Sequence, residues 1–330
     1  MNDLPSAIRT VRWMVRDTFR QSLASKLFWL MLGITVVCTL FCLGMSVDTP
    51  GERERHPYEI QDFIPKNYDP AAKDEGIPET GGTMKLGFGL VEFKVPRFRG
   101  DAVRYFQVWL AGIVADSLGV LFALLWTAGF LPTFLEPQSV SVLLAKPAPR
   151  WSLLVGKYLG VVLFVGLQAI LFVGGTWFGM GISTGVWEPA YWLAVPLLVL
   201  NFSVFYAFSA LLAVVSRSTV VAIFGTVLFW LLCWTMNMTR HHVVGHGMPG
   251  VSQSGSTMVE TGYWILPKPL DMSGIFFDVM HAEAYSMPVE QLTAVKAKGM
   301  FHPELSILTS LLCAVVILAI AAYEFKKTDY

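Results

Sequence analysis

Three histidines stand close together in the second half of the chain: His241, His242 and His246. His242 and His246 are four residues apart, so a helix would place them on one face, and imidazole pairs at this spacing can bind a metal ion. No carboxylate or cysteine ligand lies near in sequence, and Gly245 and Gly247 weaken a helix there. The pattern therefore favours a water-exposed histidine cluster over a metal site, and we expect no cofactor.

Asp116 is the one carboxylate within the apolar surroundings of residues 110–135. An ionisable side chain at membrane depth is a functional candidate, because leaving it unpaired in lipid is costly. A membrane span that began at Ser117 would instead leave Asp116 at the water interface. Both interpretations stay open on the sequence alone.

Polar residues also interrupt two later apolar stretches: Gln168, Asn201, Ser203, Tyr206 and Ser209. Such side chains either line a substrate path or join helices by hydrogen bonds, which contribute about 0.6 kcal/mol each on average. The second interpretation is favoured. Gln168, Asn201 and Tyr206, together with Asp116, are the candidate residues for a path or a helix interface.

Signatures of catalysis are absent from the sequence. There is no H-E-x-x-H, no G-x-S-x-G and no G-x-x-x-x-G-K-[ST], since the Gly156-Lys157 pair is followed by Tyr158. No buried pair of acids or histidines is visible either, which disfavours an intramembrane enzyme or a secondary transporter. The chain is therefore expected not to be an enzyme and to have no nucleotide site of its own.

Composition assigns the chain to membrane proteins: 54% of residues are hydrophobic and 15% are charged, where a soluble domain has about 25%. The zero net charge disfavours a nucleic-acid partner. Backbone groups must be paired in lipid, so each long apolar stretch predicts a helix. The predicted fold is an all-α membrane protein with six transmembrane helices, at 27–47, 110–135, 158–181, 190–215, 219–238 and 305–323. The first stretch is too long for a signal-peptide core and is expected to be retained.

Basic residues predict the orientation. They precede the first span and occupy the short loops 136–157 and 216–218 and the tail 324–330, whereas loop 182–189 has none. The positive-inside rule therefore predicts that both termini are cytoplasmic, in the cell inner (plasma) membrane. The segments 48–109 and 239–304 are then extracytoplasmic. Alternating residues in 86–95 are compatible with strands, and 274–285 and 289–298 with helices.

Residues 1–26 predict an amphipathic helix. Arg9, Arg12, Arg16 and Arg20 share one helical face, next to an apolar face that includes Val11. A basic amphipathic helix just before a span is expected to lie in the inner membrane interface, the alternative being a solvated cytoplasmic helix.

The loop 136–157, EPQSVSVLLAKPAPRWSLLVGK, has the most specific pattern. An acid, Glu136, ends the preceding span, a short apolar helix follows, and Pro147 stops it. Basic groups then precede the next span. This pattern predicts a short helix against the inner membrane surface that can transmit a push from a cytoplasmic partner into two spans.

This segment resembles the coupling segment of the ABC-2-type permease family. Residues that match the family pattern in register are Leu143, Leu144, Ala145, Pro147, Arg150, Gly156 and Lys157. The stretch SALLAVVSRS resembles the end of the family's fourth span. Leu266-Pro267-Lys268 resembles a segment of the copper-maturation branch. A Gly-Thr that often follows the leading acid is absent, because Pro137-Gln138-Ser139 stands there.

The resemblance implies the transmembrane subunit of an ATP-driven exporter, in a homodimer with a separate ABC ATPase subunit. The residues it implies for coupling to the ATPase are Glu136, Leu143, Lys146, Pro147, Arg150 and Lys157. The competing hypothesis is a membrane anchor or scaffold that transmits force or recruits extracytoplasmic partners without transporting. The sequence does not specify a substrate.

Overall fold

The computed structural model describes residues 4–48, 82–95, 99–135, 149–247, 252–282 and 290–327. Within these ranges the chain is an all-α bundle with one small sheet. Five of its helices are long and apolar enough to cross a membrane, and the bent pair formed by the first two helices adds a sixth candidate. This confirms the predicted fold class.

The N-terminal part consists of α1 (Leu4–Ala24) and α2 (Lys26–Leu43), whose axes are bent by 69° at the break between them. All four arginines of the predicted basic face of α1 are exposed. The buried face of α1 is formed by Ala7, Met14, Thr18 and Ser22. This face packs on the long helix Arg150–Thr184. Its burial therefore comes from a neighbouring helix.

A three-stranded antiparallel sheet follows α2, with strands in the order β1 (Ser46–Asp48), β2 (Gly82–Leu86) and β3 (Val91–Val95). Val47 pairs with Met84, and Leu86 pairs with Val91 across the β2–β3 turn. The predicted first span, 27–47, is therefore wrong at its end, because the helix stops at Leu43. The strand-compatible stretch 86–95 contains the β2–β3 turn and all of β3.

The second long helix, Arg99–Phe134, changes its hydrogen-bonding pattern along its length. It consists of α3 (Arg99–Gln107), a π-helical stretch (Val108–Gly119), α4 (Val120–Thr127) and a short α5 (Phe130–Phe134). π-Helical turns occur often at functional sites, because the extra residue per turn redirects the side chains. The π-helical stretch contains Asp116.

The remaining helices are α6 (Arg150–Thr184), a 3-10 turn (Pro189–Leu193) leading into α7 (Ala194–Ser216), α8 (Thr219–His246), α9 (Gln253–Ile265), α10 (Pro269–Val279), α11 (Glu290–Ala297) and α12 (Pro303–Lys327). Of these, α6, α8 and α12 are longer than the apolar stretches that predict them, 158–181, 219–238 and 305–323. Helix α7 is the most buried of the candidate spans and contacts α6, α8 and α12. It forms the centre of the bundle.

Helices α9 and α10 form a hairpin between the ends of α8 and α12, here called the α9–α10 hairpin. Its turn is Leu266-Pro267-Lys268, and Pro269 begins α10, where a missing N–H costs nothing. Helix α10 contacts α8 and α12 and also reaches α7 and the π-helical stretch. The helix-compatible stretch 274–285 overlaps α10, and 289–298 overlaps α11.

Candidate functional site

The inner coupling segment lies mostly outside the described residues, and with it Glu136, Leu143, Lys146 and Pro147. Arg150 and Lys157, which follow on α6, are described. Lys157 is only 2% exposed. Its Nζ donates to Gln21 Oε1 of α1 at 2.6 Å and lies 5.9 Å from the Phe134 ring centroid. Lys157 therefore ties the start of α6 to the N-terminal helix and to the end of the preceding span.

Two glycines allow α1 to approach α6 closely. A Cβ at Gly156 would lie 2.8 Å from Met14 Cβ, and one at Gly160 would lie 2.7 Å from Thr18 Cβ. These distances are shorter than van der Waals contact, so the small side chains are required for this packing. In the Gly-Lys pair of the sequence pattern, Gly156 thus allows α1 to approach α6, and Lys157 holds it there by a hydrogen bond to Gln21.

Arg150 begins α6 and contacts the opposite end of the chain. Its Nη1 donates to the backbone carbonyl of Lys326 at 3.3 Å. The last carbonyls of a helix have no partner within the helix, and a cation there is favourable. Arg150 thus joins the start of α6 to the end of α12.

Asp116 is buried within the bundle. Its Oδ1 accepts from Asn201 Nδ2 of α7 at 2.7 Å, and its Oδ2 accepts from Ser273 Oγ of α10 at 2.7 Å. Asp116 is only 7% exposed, so it is not a water-exposed carboxylate in this fold, and the point at which the membrane begins along this helix stays a prediction. Asp116 and Asn201 form an interhelical contact, and Ser273 extends it to the α9–α10 hairpin.

The two other candidate path residues behave differently. Gln168 is buried, and neither of its amide atoms has a hydrogen-bond partner among the described residues. The same holds for the hydroxyl of Tyr206, whose ring stacks on Tyr158 at 5.6 Å and on Phe202 at 5.3 Å. Among the described residues these side chains therefore do not join helices by hydrogen bonds, and their assignment to a path or an interface stays a prediction.

Asp271, at the start of α10, is the centre of a buried polar cluster. Its Oδ1 lies 2.9 Å from His241 Nε2 and accepts from Asn237 Nδ2 at 3.0 Å. Its Oδ2 accepts from Tyr263 Oη at 2.6 Å and from Ser306 Oγ at 2.5 Å. These five residues, here called the Asp271 cluster, join α8, α9, α10 and α12.

Asn237 also serves as a helix cap from a neighbouring helix. Lys268, at the N-cap position of α10, makes no side-chain cap bond. Asn237 Oδ1 instead accepts from the backbone N–H of Leu270 at 2.9 Å and of Asp271 at 3.3 Å. The first N–H groups of a helix need such partners, so α8 supplies what the α10 sequence lacks.

Two buried cations flank the Tyr263 ring of the Asp271 cluster. Arg240 Cζ lies 4.3 Å from the ring centroid, and Lys268 Nζ lies 4.8 Å from it. Lys268 Nζ also donates to Thr309 Oγ1 at 2.7 Å, and Arg240 forms an ion pair with Glu260 at 3.3 Å. Cation–π contacts of this kind strengthen when the cation is removed from water.

Burial and charge shift the protonation equilibria in the α9–α10 hairpin. Burial lowers the pKa of the Lys268 ammonium to about 8, although Asp271 acts in the opposite direction. Burial alone would raise the pKa of Asp271, but its hydrogen bonds and the charge of His241 lower it below the ordinary value. Asp271 is therefore held as a carboxylate.

The structure separates the three histidines. His241 is buried against Asp271, so the expectation of a water-exposed cluster is wrong for this residue. His242 is exposed, and of His246 only the backbone is described. Within the described ranges, no group of three or more His, Cys, Asp or Glu side chains is placed to hold a metal ion.

The buried His241–Asp271 pair was missed in the sequence because thirty positions separate its members. Two signals point to part of the cluster. Asn237 and His241 are four residues apart and share a helical face, and Asp271 stands in the first turn after Pro269.

Long apolar helices joined by buried polar contacts, with an amphipathic helix at the N-terminal end, define a multi-pass membrane protein. The chain belongs to the ABC-2 family: the family model described as ABC-2 family transporter protein matches residues 12–330. This confirms the resemblance seen in the sequence. The likeness to the copper-maturation branch stays a prediction. A search of curated proteins finds no match.

Membership of this family makes the chain a transmembrane permease subunit, a transport component rather than a catalyst. The family pairs its permeases with ABC ATPases, which agrees with the absence of a nucleotide-binding loop from the sequence.

Proposed function

We propose that the chain is the permease subunit of an ATP-driven exporter whose energy comes from a separate ABC ATPase. Two copies of the chain form the permease, and it lies in the inner (plasma) membrane with both termini in the cytoplasm. The basic residues support this orientation by the positive-inside rule: arginines are exposed along α1, and Arg150 at the start of α6 contacts the basic end of α12.

The observation that carries the proposal is that the first three turns of α6 are held by neighbouring helices. Lys157 and the two glycines fix α1 against α6, and Arg150 fixes the end of α12. The segment 136–149 leads directly into this point. A displacement of that segment by an ATPase is therefore delivered to three helices at once.

Helix α12 carries the displacement across the membrane. It has 25 residues, so it is about 37 Å long at 1.5 Å per residue. Its inner end accepts the Arg150 hydrogen bond, and Ser306 and Ser310 near its other end contact Asp271 and the Lys268 backbone N–H. Movement at the inner face thereby reaches the α9–α10 hairpin, which we propose to open during export.

The first test is the recovery of an ABC ATPase with this chain from native membranes, followed by its ATP hydrolysis in vesicles. We expect Arg150→Glu to lower hydrolysis to near the rate of the ATPase alone while the complex still forms. The matched control is Lys326→Glu, which makes the same charge change at an exposed residue and retains the backbone carbonyl that Arg150 uses. Repeated purification without any ATPase contradicts the proposal.

A second measurement separates export from anchoring. Inside-out vesicles with the permease and the ATPase are incubated with a cell extract, and the compounds that accumulate inside are identified by mass spectrometry. ATP-dependent accumulation of a compound supports export. An intact complex that hydrolyses ATP without accumulating any compound supports the membrane anchor instead.

A further inference from the structure

The turn between β2 and β3, residues 87–90, exposes two large apolar side chains. Phe88 is 82% exposed and Leu90 is 78% exposed. Phe88 also has a φ of 61°, in the left-handed region that bulky residues rarely adopt. Exposure of two large apolar side chains to water is unfavourable, so their presence in this turn points to an apolar environment around it.

The turn is fixed to the last turn of α2. The Phe88 N–H donates to the Gly44 carbonyl at 2.9 Å, and the Gly87 N–H donates to the Phe41 carbonyl at 3.3 Å. A Cβ at Gly44 would lie 2.6 Å from the Phe88 nitrogen, so the glycine is what permits this approach. The position of α2 in the membrane therefore also sets the position of the turn.

Helix α2 presents a broad apolar surface. At 100° per residue its exposed large side chains cover an arc of about 160° around the helix axis. They are Trp29, Leu30, Ile34, Val36, Val37, Leu40 and Phe41. One packed helix covers a narrower stripe, so lipid must cover much of this arc. Phe41 is part of the arc and also contacts Gly87, so the turn continues the same apolar surface.

The length of α2 determines the depth of the turn. The helix has 18 residues and begins at the basic Lys26, directly after the bend from α1. Its length of about 27 Å is slightly less than the roughly 30 Å of a hydrocarbon core. Phe41 and Gly44 then lie at the far edge of the hydrocarbon, and the turn lies there with them.

We propose that the β2–β3 turn is a lipid-binding element that inserts Phe88 and Leu90 into the membrane leaflet at the C-terminal end of α2. The occupant is the acyl-chain and glycerol region of phospholipid. The two side chains anchor the small sheet, and through β1 and α3 they fix the ends of the first two spans. The inference requires only that α2 crosses the membrane and is independent of the direction of transport.

The test uses the full chain in phosphatidylcholine vesicles with an environment-sensitive fluorophore on Phe88→Cys or, separately, Leu90→Cys. The control position is Glu92→Cys on the same hairpin, because Glu92 is exposed and charged. Unsubstituted protein gives the background from the four native cysteines. We expect lipids with a nitroxide on the acyl chain to quench the fluorophore several-fold more at 88 and 90 than at 92, and iodide to do the opposite.

Quenching by iodide at 88 and 90 equal to that at 92 overturns the proposal, because the turn is then in water. Protection from both quenchers overturns it as well, because the turn is then covered by protein, such as a second copy of the chain. Both side chains are highly exposed, so the substitutions remove little packing. A Gly44→Val variant, which displaces the turn from α2, should lower the lipid quenching at 90.

Discussion

Asp271 makes contacts with side chains from three other helices while having no exposure to solvent. A buried carboxylate needs its hydrogen-bond and charge partners to offset the loss of water around it. Removal of one partner of a buried charged contact lowers the stability of the fold by about 3–5 kcal/mol. We expect Asp271→Asn to lower the melting temperature in detergent strongly, since it leaves His241 without its anionic partner. Intrinsic tryptophan fluorescence measures the transition.

The matched control for this change is Asp278→Asn on the same helix. Asp278 is partly exposed and pairs with Lys296. Exposed ion pairs contribute at most about 1 kcal/mol, so the control should melt near the unsubstituted protein. Equal losses for both variants would mean that the Asp271 cluster does not hold the α9–α10 hairpin.

Lys268 gives a pH-dependent prediction. Its pKa is about 8 in the folded protein and 10.5 as the ordinary value. Between these pH values the unfolded chain holds a proton that the folded chain has released, so stability rises with pH. We expect the unsubstituted protein to gain melting temperature relative to Lys268→Met as the pH rises from 8 to 10.5. A difference in melting temperature between the two proteins that does not change with pH would contradict this.

Among the elements, the long apolar helices were predictable from the sequence and their ends were not. Apolar runs mark the part of a helix inside the hydrocarbon, whereas α6 and α8 continue past it with polar residues such as Arg150 and His241. The first predicted span is instead too long. The apolar Val47 belongs to β1, where it pairs with Met84, and the periodicity of the local sequence does not show a pairing with a residue so far along the chain. Local pattern determines secondary structure, and long-range pairing sets its limits.

The candidate site was predictable to a similar extent. Lys157 and Asp116 attract notice because charged residues are rare in apolar sequence. The Asp271 cluster cannot be recognised in the sequence. Asn237, Tyr263 and Ser306 are far from Asp271 or unremarkable in type, and only the fold brings them into contact with its carboxylate. The structural role of Gly156 and Lys157 also could not be predicted, because both contact α1. The sequence predicts α1 as an interfacial helix but does not show that it packs on α6.

The contact between α1 and α6 gives a prediction at the scale of elements. We expect Gly160→Val to displace α1, because the added Cβ alone would lie 2.7 Å from Thr18 Cβ. Trypsin should then cleave faster at the exposed Arg16 and Arg20, measured as loss of an N-terminal tag. Gly33→Val on α2 is the control, since its Cβ would meet nothing within 4 Å. Unchanged cleavage in Gly160→Val would show that α1 is held by other contacts.

For the whole molecule, we predict that two copies of the chain meet along α8. Only 22% of the most apolar 18-residue stretch of α8 is buried, although α7, α9, α10 and α11 pack on its other sides. The exposed residues Val220, Phe224, Leu228, Leu231 and Met238 fall at spacings of 4, 4, 3 and 7. This is the stripe that a left-handed helix pair uses. A two-fold axis along it would place each residue opposite its own copy.

We therefore predict that Phe224→Cys or Leu228→Cys forms a disulfide between two chains in native membranes under mild oxidation, because facing residues on a two-fold axis come within disulfide range. The product should migrate at about 73 kDa, twice the 36.6 kDa of one chain. Leu163→Cys on α6 is the control, since its side chain is as exposed as those of the stripe but lies on another helix. Cross-linking at 163 equal to that at 224 and 228 would indicate random collisions, and a product with the control alone would place the dimer interface on α6.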